Sequence, residues 1–595
     1  PKLVYQFYKA LKCITILDPT CGSGAFLFAA MNILEDLYEA CINRMRDFVH
    51  DNPGHSSSHM KKELEIVDHP SHPNLEYFIY KSIILNNLYG VDIMNEAVEI
   101  AKLRLFLKLV ACVDPDPKHT NYGLEPLPDI DFNIRCGNTL VGYANWEDII
   151  KDIESDAISA AENKEIIPDM CQKVAMAFIQ YKEIQLEGYQ DYANFSIAKT
   201  ELQDNLKTLN AHLDNMLYQH TSTMSFCQWK ATHQPFHWFA EFYEIIHDNN
   251  GFDIVIGNPP YVEFTKKSIY YNRNYFTCDS LNLFSLIVER SYSLSNEIAL
   301  IGFILQLSSI STKNMYVFKE YLHKYSGLIY SSTYPERPHQ LFSGACIAVT
   351  IQIISKSTRV KGLYSSGINR TTEDARRFLF ENLNYIKCPY YNDDVTYYHP
   401  KFKYGIENSI LSKITKEPPI EYYLGIDQID NRIYYRTAGG RYWKIFINRP
   451  FKTESTSNKS KSFNSDYDRD VFVAVLNSNL YWWFYCSFFD LYNLKDYMIF
   501  KFPFKYIDVT ELKELANRLI TVYEQNCEIK EQYIQSKSKT NYSETFKPQL
   551  AKTVIDNIDS ILARHYGFSP EELDFLTSYD YKYRMSNVSN NDNDE

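Results

Sequence analysis

The sequence lacks the features that would place it among membrane, fibrous or disulfide-stapled proteins. It contains no run of about 18 uncharged apolar residues, which excludes a transmembrane helix. Apolar residues make up 45% and charged residues 23% of the 595 positions, so collagen-like and disordered classes are excluded as well. A chain of this length predicts about three to five domains.

Cysteine is present, but not in the patterns that bind metal. The 12 cysteines are scattered singly and none stands in a CxxC pair, which argues against zinc ribbons, and no metal site is predicted. So few cysteines favour a reducing, cytoplasmic setting, and no signal peptide is visible. Because the chain opens at Pro1 without a methionine, we expect a processed chain or a fragment of a longer one.

The charge of the chain is acidic overall but unevenly spread. A net charge of −13 discourages nucleic-acid binding if it is uniform. Residues 357–508, however, carry 22 basic and 17 acidic side chains, and residues 432–461 hold eight basic residues against one acid, Glu454. This basic segment is compatible with a polyanion partner and equally with a solvated loop.

Helices and short strands alternate in two parts of the sequence. Residues 14–31 predict strand, glycine turn and helix, residues 81–110 predict helix, strand and helix, and residues 132–141 predict another strand. A strand returns at 252–256, and the alternation continues over 280–356. The pattern predicts a doubly wound α/β fold, with a parallel sheet covered by helices on both faces.

Changes in composition divide the chain into six segments. A polar helical stretch, too long for an ordinary connection, interrupts the α/β pattern, and a region rich in turns, tyrosine and basic residues follows later. The predicted segments are the first half of the α/β core (1–143), a helical insertion (144–250), the second half of the core (251–356), a mixed α+β region (357–508), a helical region (509–585) and a disordered tail (586–595).

The strongest motif is Asn258-Pro259-Pro260-Tyr261, which follows a predicted buried strand. An exocyclic amine on a nucleobase is a poor nucleophile because its lone pair is delocalised into the ring. The Asn258 side-chain oxygen and the Pro259 carbonyl can accept the amine's hydrogens and localise that lone pair, while the two prolines stiffen the loop. Tyr261 offers a face on which a flipped-out base can stack. The alternative is an asparagine–proline turn at a strand end.

A second motif lies at the first predicted strand-to-helix turn. Its glycines let a ligand approach the backbone at the carboxyl edge of a parallel sheet, and their spacing is not that of a dinucleotide motif. Small residues with one acid suit the cationic amino-acid tail of S-adenosylmethionine, and the alternative is an ordinary turn. The candidate cofactor-binding residues here are Asp18, Pro19, Thr20, Cys21, Gly22, Ser23 and Gly24.

Two later strand ends add candidate cofactor contacts. Asp92, followed by Ile93, ends a predicted strand, where an acid can accept both hydroxyls of a ribose. Asn138 follows the next strand and can bond to the edge of an adenine ring. The alternatives are a helix-capping acid and a turn asparagine.

Together these motifs resemble the gamma class of amino DNA methyltransferases, in which a glycine-rich cofactor motif comes first, NPPY second and the target-recognition domain last. The resemblance implies a Rossmann-like, S-adenosylmethionine-dependent core that methylates the N6 amine of a flipped-out adenine, with target recognition by 357–508. The stretch HQLFSGACIAVTIQII resembles the later motif whose aromatic residue covers the second face of the base. By that match Phe342 pairs with Tyr261.

A closer resemblance is to large type IIG-like enzymes of restriction–modification and phage-exclusion systems, carried by DPTCGSGAFLFAAMNILEDLYEAC, PFHWFAEF and LNSNLYWWFY. From the start of the sequence we expect the upstream segment that clamps the cofactor in that group to be absent or truncated. No convincing nuclease site is found either, because Glu528-Ile529-Lys530 looks like a charged helix face. The resemblance implies double-stranded DNA as partner, with a nuclease or helicase module in trans or on a missing amino-terminal part.

The basic segment is the best candidate for DNA contact, because arginine can read guanine and lysine mainly neutralises phosphate. The apolar stretch 471–489 is instead assigned to the core of the recognition domain. The candidate DNA-binding residues are Arg432, Arg436, Arg441, Lys444, Arg449 and Lys452.

Three other functions stay open on the sequence alone. A cytosine-N4 methyltransferase offers a similar amine, although that class more often carries serine in place of Asn258. An enzyme that methylates a glutamine side chain also uses NPPY, but such enzymes are much smaller. A DNA-specificity subunit with an inactive methyltransferase fold is the third, and the intact motifs argue against it.

Overall fold

The computed structural model describes most of the chain and divides it into two compact units. The first unit comprises Pro1–Leu305, Tyr321–Ile329 and Ile351–Lys361, and the second comprises Gln306–Glu320, Tyr330–Thr350 and Gly362–Glu595. The described residues are 1–51, 58–69, 72–113, 129–155, 160–186, 192–219, 224–272, 274–342, 344–392, 397–426, 430–440, 442–534 and 539–585. The predicted tail, 586–595, lies outside them.

Five strands of the first unit form a parallel sheet. Their order is β3-β2-β1-β4-β5, and each neighbouring pair is parallel. The carboxyl ends of these strands therefore meet at one edge, where the α/β prediction places a ligand. The mixed α/β fold with a parallel core sheet is confirmed. The strands are β1 (Ile16–Asp18), β2 (Leu88–Asp92), β3 (Ile134–Cys136), β4 (Phe252–Gly257) and β5 (Ser295–Gln306).

Helices cover this sheet because their apolar faces are buried against it. The fourth helix is buried almost throughout, from Tyr77 to Leu85, as expected for a helix without a polar face. Among the described residues of 144–250 there are helices and no strand. The helices are α1 (Lys2–Cys13), α2 (Ala25–Asp51), α3 (Ser58–Val67), α4 (Leu75–Asn86), α5 (Asn95–Ala111), α6 (Trp146–Ser155), α7 (Ala160–Leu186), α8 (Tyr192–Gln219), α9 (Phe226–His233), α10 (Trp238–Glu241) and α11 (Leu283–Leu294).

The remaining strands and helices come in groups along the chain. The strands are β6 (Leu328–Tyr334), β7 (Val349–Ser355), β8 (Gly362–Ile368), β9 (Ile386–Cys388), β10 (Tyr391–Asn392), β11 (Tyr397–Tyr398), β12 (Arg432–Arg436), β13 (Asn458–Ser462), β14 (Glu528–Ile534) and β15 (Lys539–Thr545). The helices are α12 (Ser308–Ser311), α13 (Tyr316–Tyr325), α14 (Ile406–Ile414), α15 (Arg469–Leu476), α16 (Asn479–Phe488), α17 (Asp496–Phe500), α18 (Thr510–Gln525), α19 (Lys552–Tyr566), α20 (Pro570–Ser578) and α21 (Tyr581–Met585).

The core of the second unit lies where the sequence predicts it. Every residue of α16 is buried, and so are residues 471–476 of α15. The assignment of 471–489 to a core is confirmed. No helix in the described part of the chain is both long and apolar enough to cross a membrane.

One helical prediction near the carboxyl end is wrong. The pattern over 509–535 predicts a helix, but α18 ends at Gln525 and β14 follows it. Strand β14 pairs antiparallel with β15 over seven residue pairs, so Glu528-Ile529-Lys530 lies on a strand and not on a helix face. Antiparallel pairing with the next strand, β15, outweighs local helix propensity, which is only a weak preference.

Asn87 ties the start of the sheet to the helices beside it. Its side-chain nitrogen donates to the carbonyls of Leu11 (2.8 Å) and Ile14 (2.7 Å), and its oxygen accepts from the Tyr38 hydroxyl (3.0 Å). The side chain is fully buried. These bonds join the end of α1, the approach to β1 and the middle of α2.

We expect Asn87→Ala to lower the free energy of unfolding of the first unit by about 2–3 kcal/mol, because it leaves buried carbonyls without a donor. Urea unfolding followed by circular dichroism measures the change. Asn32→Ala, which removes an exposed asparagine from α2, is the matched control and is expected to change stability little. Equal effects of the two substitutions would contradict the structural role of Asn87.

Candidate active site

The ends of β1, β2 and β4 bring the two strongest sequence motifs together. Strand β1 ends at Asp18 and β4 ends at Gly257. Because the two strands are parallel neighbours, these residues lie side by side. An added Cβ at Gly257 would lie 2.8 Å from the Asp18 Oδ1 and 3.2 Å from the Phe303 ring. Glycine at this position therefore lets the Asn258 loop approach the turn that follows Asp18.

The turn after β1 is held from both sides by carboxylates. The Thr20 N–H donates to Asp18 Oδ1 (3.1 Å), and the Gly22 N–H donates to Asp92 Oδ2 (2.8 Å). The Met94 N–H donates to the other Asp92 oxygen (2.9 Å). Gly24 has φ +78°, and a Cβ there would approach Ala101 of α5 to 3.0 Å. The glycines thus serve the backbone conformation and the close packing of α5.

Burial sets the protonation of the two titratable groups in this turn. Asp18 is 1% exposed, and its burial raises its pKa to about 7, with the charge of Asp92 adding and the Thr20 N–H opposing. Burial also raises the pKa of the Cys21 thiol, so Cys21 is a small neutral side chain and not a thiolate. Within the described ranges, no group of three or more His, Cys, Asp and Glu side chains is arranged to hold a metal ion.

Several residues that the sequence did not single out support the turn. The Arg104 guanidinium on α5 donates to the Ser23 carbonyl (2.8 Å). The Thr139 hydroxyl donates to the Pro19 carbonyl, and the Trp238 indole N–H donates to the Thr139 carbonyl (3.1 Å). Thr139 follows Asn138 directly and Trp238 lies in the PFHWFAEF stretch, whereas no local signal marks Arg104.

Asn138 is placed near the turn but is already engaged. Its amide nitrogen donates to the His233 carbonyl (3.0 Å) and the Tyr270 hydroxyl (3.3 Å), and its oxygen accepts from the Leu140 N–H (3.1 Å). The side chain is 4% exposed. Both amide hydrogens are thus in use, whereas the oxygen keeps one lone pair, so donation to an adenine ring nitrogen would have to replace a contact and this role stays a prediction. Ile93, in contrast, is 42% exposed next to Asp92.

The loop after β4 exposes an amide and fixes an aromatic ring. Asn258 and Pro260 are exposed, Pro259 is buried and Tyr261 is half-buried. The Tyr261 hydroxyl lies 2.8 Å from Asn258 Oδ1 and 3.1 Å from the Ile304 carbonyl oxygen. The rings of Tyr261 and Phe284 pack edge to face, with their centroids 6.3 Å apart and an angle of 86° between the ring planes. Burial raises the pKa of Tyr261, so its hydroxyl keeps its hydrogen.

Phe342 belongs to the second unit, in the loop before β7, and is partly exposed. Its carbonyl accepts a hydrogen bond from the Ala345 N–H (3.3 Å). Its place opposite Tyr261 stays a prediction.

Two of the candidate DNA-binding residues have structural partners in the second unit. The Lys444 ammonium is buried and donates to the carbonyls of Gly439 (2.7 Å) and Tyr492 (2.9 Å), and burial lowers its pKa to about 8. Arg449 pairs with Glu524 (2.7 Å) and Glu544 (2.8 Å). Neither residue is positioned as a free phosphate contact.

Two further candidates, Arg432 and Arg436, lie on β12, which pairs antiparallel with β13. Arg436 donates to the Glu544 carbonyl (2.7 Å), with its guanidinium 4.5 Å from the centre of the Phe451 ring. Arg432 is half-buried on β12, and Lys452 is exposed. Arg441 lies outside the described residues.

Comparison with known proteins shows which family part of this chain resembles. Residues 86–329, which contain Asp92, Asn138 and the whole Asn258–Tyr261 loop, match the family model of the Eco57I restriction-modification methylase. The resemblance to modification enzymes of restriction–modification systems is thereby confirmed. Residues 86–329 thus resemble a restriction-modification methylase of the Eco57I type.

One relative also matches part of this chain. A Methanocaldococcus jannaschii protein, whose name gives it as a type II restriction enzyme and methyltransferase, is 30% identical over 409 residues. These residues make up 60% of this chain and 31% of that protein, so the chain spans less than a third of the relative's length.

The type IIL restriction-modification enzyme MmeI in complex with DNA is 12% identical at a TM-score of 0.43, with 99% of this chain and 72% of MmeI covered. The DrdV–DNA complex is 10% identical at a TM-score of 0.38, with 98% of this chain and 68% of that chain covered. Scores of this size do not establish a common arrangement of the whole chain.

The raised pKa of Asp18 makes the stability of the first unit depend on pH. A carboxyl whose pKa is raised by folding opposes folding increasingly as pH rises from its ordinary pKa, near 4, through about 7. We expect Asp18→Asn to stabilise the protein by about 2–4 kcal/mol at pH 8, and by much less at pH 5. Asparagine keeps the oxygen that accepts from the Thr20 N–H.

Urea unfolding of both proteins at the two pH values measures this difference. Asp36→Asn, which removes an exposed carboxyl from α2, controls for the loss of one negative charge. The assignment would fail if Asp18→Asn changed stability by the same amount at pH 5 and pH 8.

Proposed function

We propose that this chain is a DNA methyltransferase that moves a methyl group from S-adenosylmethionine to the N6 amine of a flipped-out adenine, within a restriction–modification or phage-defence system. The observation that carries the proposal is the exposed Asn258 acceptor, one residue from the glycine that packs on the Asp18 carboxyl. One edge of the sheet thus carries a hydrogen-bond acceptor for an amine and a glycine-containing turn with an acidic residue. This arrangement suits transfer of a group between two bound molecules.

The turn after β1 has the donors and the space that S-adenosylmethionine needs. An added Cβ at Gly22 would meet no atom within 4 Å, so the turn is open to a ligand. Each Asp92 oxygen accepts one backbone hydrogen bond and keeps a lone pair for a ribose hydroxyl. The exposed Ile93 offers an apolar surface to the adenine ring of the cofactor, and Asp18 suits its cationic tail. When bound, the cofactor supplies an electrophilic methyl group.

The Asn258 loop supplies the acceptors for the amine that is methylated. In the proposed mechanism, Asn258 Oδ1 and the Pro259 carbonyl accept the two amine hydrogens by hydrogen bonding, which localises the nitrogen lone pair. Once the nitrogen has taken the methyl group, one of these hydrogens would leave as a proton to solvent. The prolines restrict the backbone, so the acceptors need little reorganisation. Most of the rate gain comes from holding amine and methyl in line.

The target adenine is proposed to leave the duplex and stack on Tyr261, with Phe342 on its other face. The partner is therefore double-stranded DNA, and the region 357–508 is proposed to recognise the target sequence. A nuclease or helicase module, in trans or on a further part of a longer protein, is a proposed partner of the complete system.

We expect Asn258→Ala to reduce methyl transfer at least about a hundredfold, because the amine loses a preorganised acceptor. Transfer of label from S-adenosylmethionine to unmethylated genomic DNA measures the loss, and calorimetry is expected to give an unchanged cofactor affinity. Asn274→Ala, in the exposed loop that follows, is the matched control. Substantial residual activity in Asn258→Ala would contradict the mechanism.

Exposed lysines of the basic segment are the proposed phosphate contacts. Lys452 and Lys459 are both exposed in the second unit. We expect the double variant Lys452→Ala/Lys459→Ala to weaken DNA binding for all sequences alike and to reduce the slope of log affinity against log salt by about two.

Fluorescence anisotropy over a range of salt concentrations measures the slope. The variant Lys403→Ala/Lys416→Ala removes two other exposed lysines of the second unit and serves as the control. Identical slopes for the wild type and both variants would exclude the proposed contacts.

A further inference from the structure

The Tyr261 hydroxyl faces two oxygen acceptors although it has a single hydrogen. It lies 2.8 Å from Asn258 Oδ1 and 3.1 Å from the carbonyl oxygen of Ile304 on β5. Neither oxygen carries a hydrogen, so the hydroxyl can make only one full hydrogen bond at a time. The second acceptor is within bonding distance before any substrate arrives.

The closer acceptor is the atom on which the proposed mechanism depends. Asn258 Oδ1 must accept a hydrogen from the target amine, and a hydrogen bond from Tyr261 occupies one of its lone pairs. Asn258 is exposed, so without a partner its amide would rotate freely between orientations that present oxygen or nitrogen. A free amide would face the amine with the wrong group for part of the time.

We propose that Tyr261 is a positioning residue whose hydroxyl donates to Asn258 Oδ1 and keeps that oxygen turned toward the target amine, which uses the second lone pair of the same oxygen. This inference rests on the proposed function, since it concerns the same acceptor. The Ile304 carbonyl is an alternative acceptor, which the hydroxyl reaches by rotation about the bond between ring and hydroxyl oxygen, and no proton leaves Tyr261.

Two further contacts suit the tyrosine to this role. The Phe284 ring, which is fully buried, meets Tyr261 edge to face and fixes the direction of the hydroxyl. The Ile304 acceptor is a backbone carbonyl of a core strand, so its position does not depend on a side-chain rotamer. Stacking on a base requires only the ring, whereas orientation of Asn258 requires the hydroxyl.

The test is Tyr261→Phe, which keeps the ring and removes the hydroxyl. We expect kcat for methyl transfer to unmethylated genomic DNA to fall about tenfold, the effect of one neutral hydrogen bond. KM for DNA and cofactor affinity by calorimetry are expected to stay within about twofold of the wild type. Tyr271→Phe, which removes a hydroxyl bonded to Asp279 at 2.9 Å in the following loop, is the matched control and is expected to leave kcat unchanged.

The outcomes separate this inference from the function on which it rests. If the wild type transfers label and Tyr261→Phe has the wild-type kcat, the positioning role is overturned while the proposed function stands. A rise in KM for DNA at constant kcat would also overturn it, because the hydroxyl would then serve binding only. A wild type that binds cofactor but transfers no label would contradict the proposed function, and this inference with it.

Discussion

The close packing of Gly257 against the buried Asp18 carboxyl is the contact on which the rest of the site depends. Strands β1 and β4 are neighbours, and any side chain at position 257 would meet the carboxyl oxygen. The contact fixes the spacing between the glycine turn after β1 and the Asn258 loop after β4. Two loops that are far apart in the sequence thus share one edge of the sheet, as parallel strands require.

The same contact gives the site its electrostatic character. Asp18 is buried close to Asp92, and its pKa is raised to about 7, so ionising it disfavours the folded state. A cationic ligand beside the carboxyl would favour its charged form, so ligand binding and ionisation of Asp18 are coupled. Carboxyls with strongly shifted pKa values are concentrated at functional sites, where the arrangement of residues lowers the stability of the fold.

The strands of the sheet and the two site loops could be predicted from the sequence. Each loop follows a short apolar strand and contains glycine or proline, whose backbone conformations are unusual or restricted. The contact between Tyr261 and Ile304 could not, since it depends on how two strands align. The burial of Lys444 was equally hidden, because a basic run does not reveal which carbonyls will surround one lysine. The strand that contains Glu528 was missed because glutamate and lysine favour a helix locally, and only pairing with the following strand β15 makes this segment a strand.

The exposed amide beside the acidic glycine turn is proposed to serve methylation of adenine in DNA. The most direct measurement incubates the full chain with labelled S-adenosylmethionine and unmethylated genomic DNA, digests the DNA to nucleosides and identifies the labelled product by mass. We expect label in N6-methyladenine. Label in N4-methylcytosine would contradict the assigned base, and the absence of label in DNA, from protein that binds the cofactor, would contradict the proposed function as a whole.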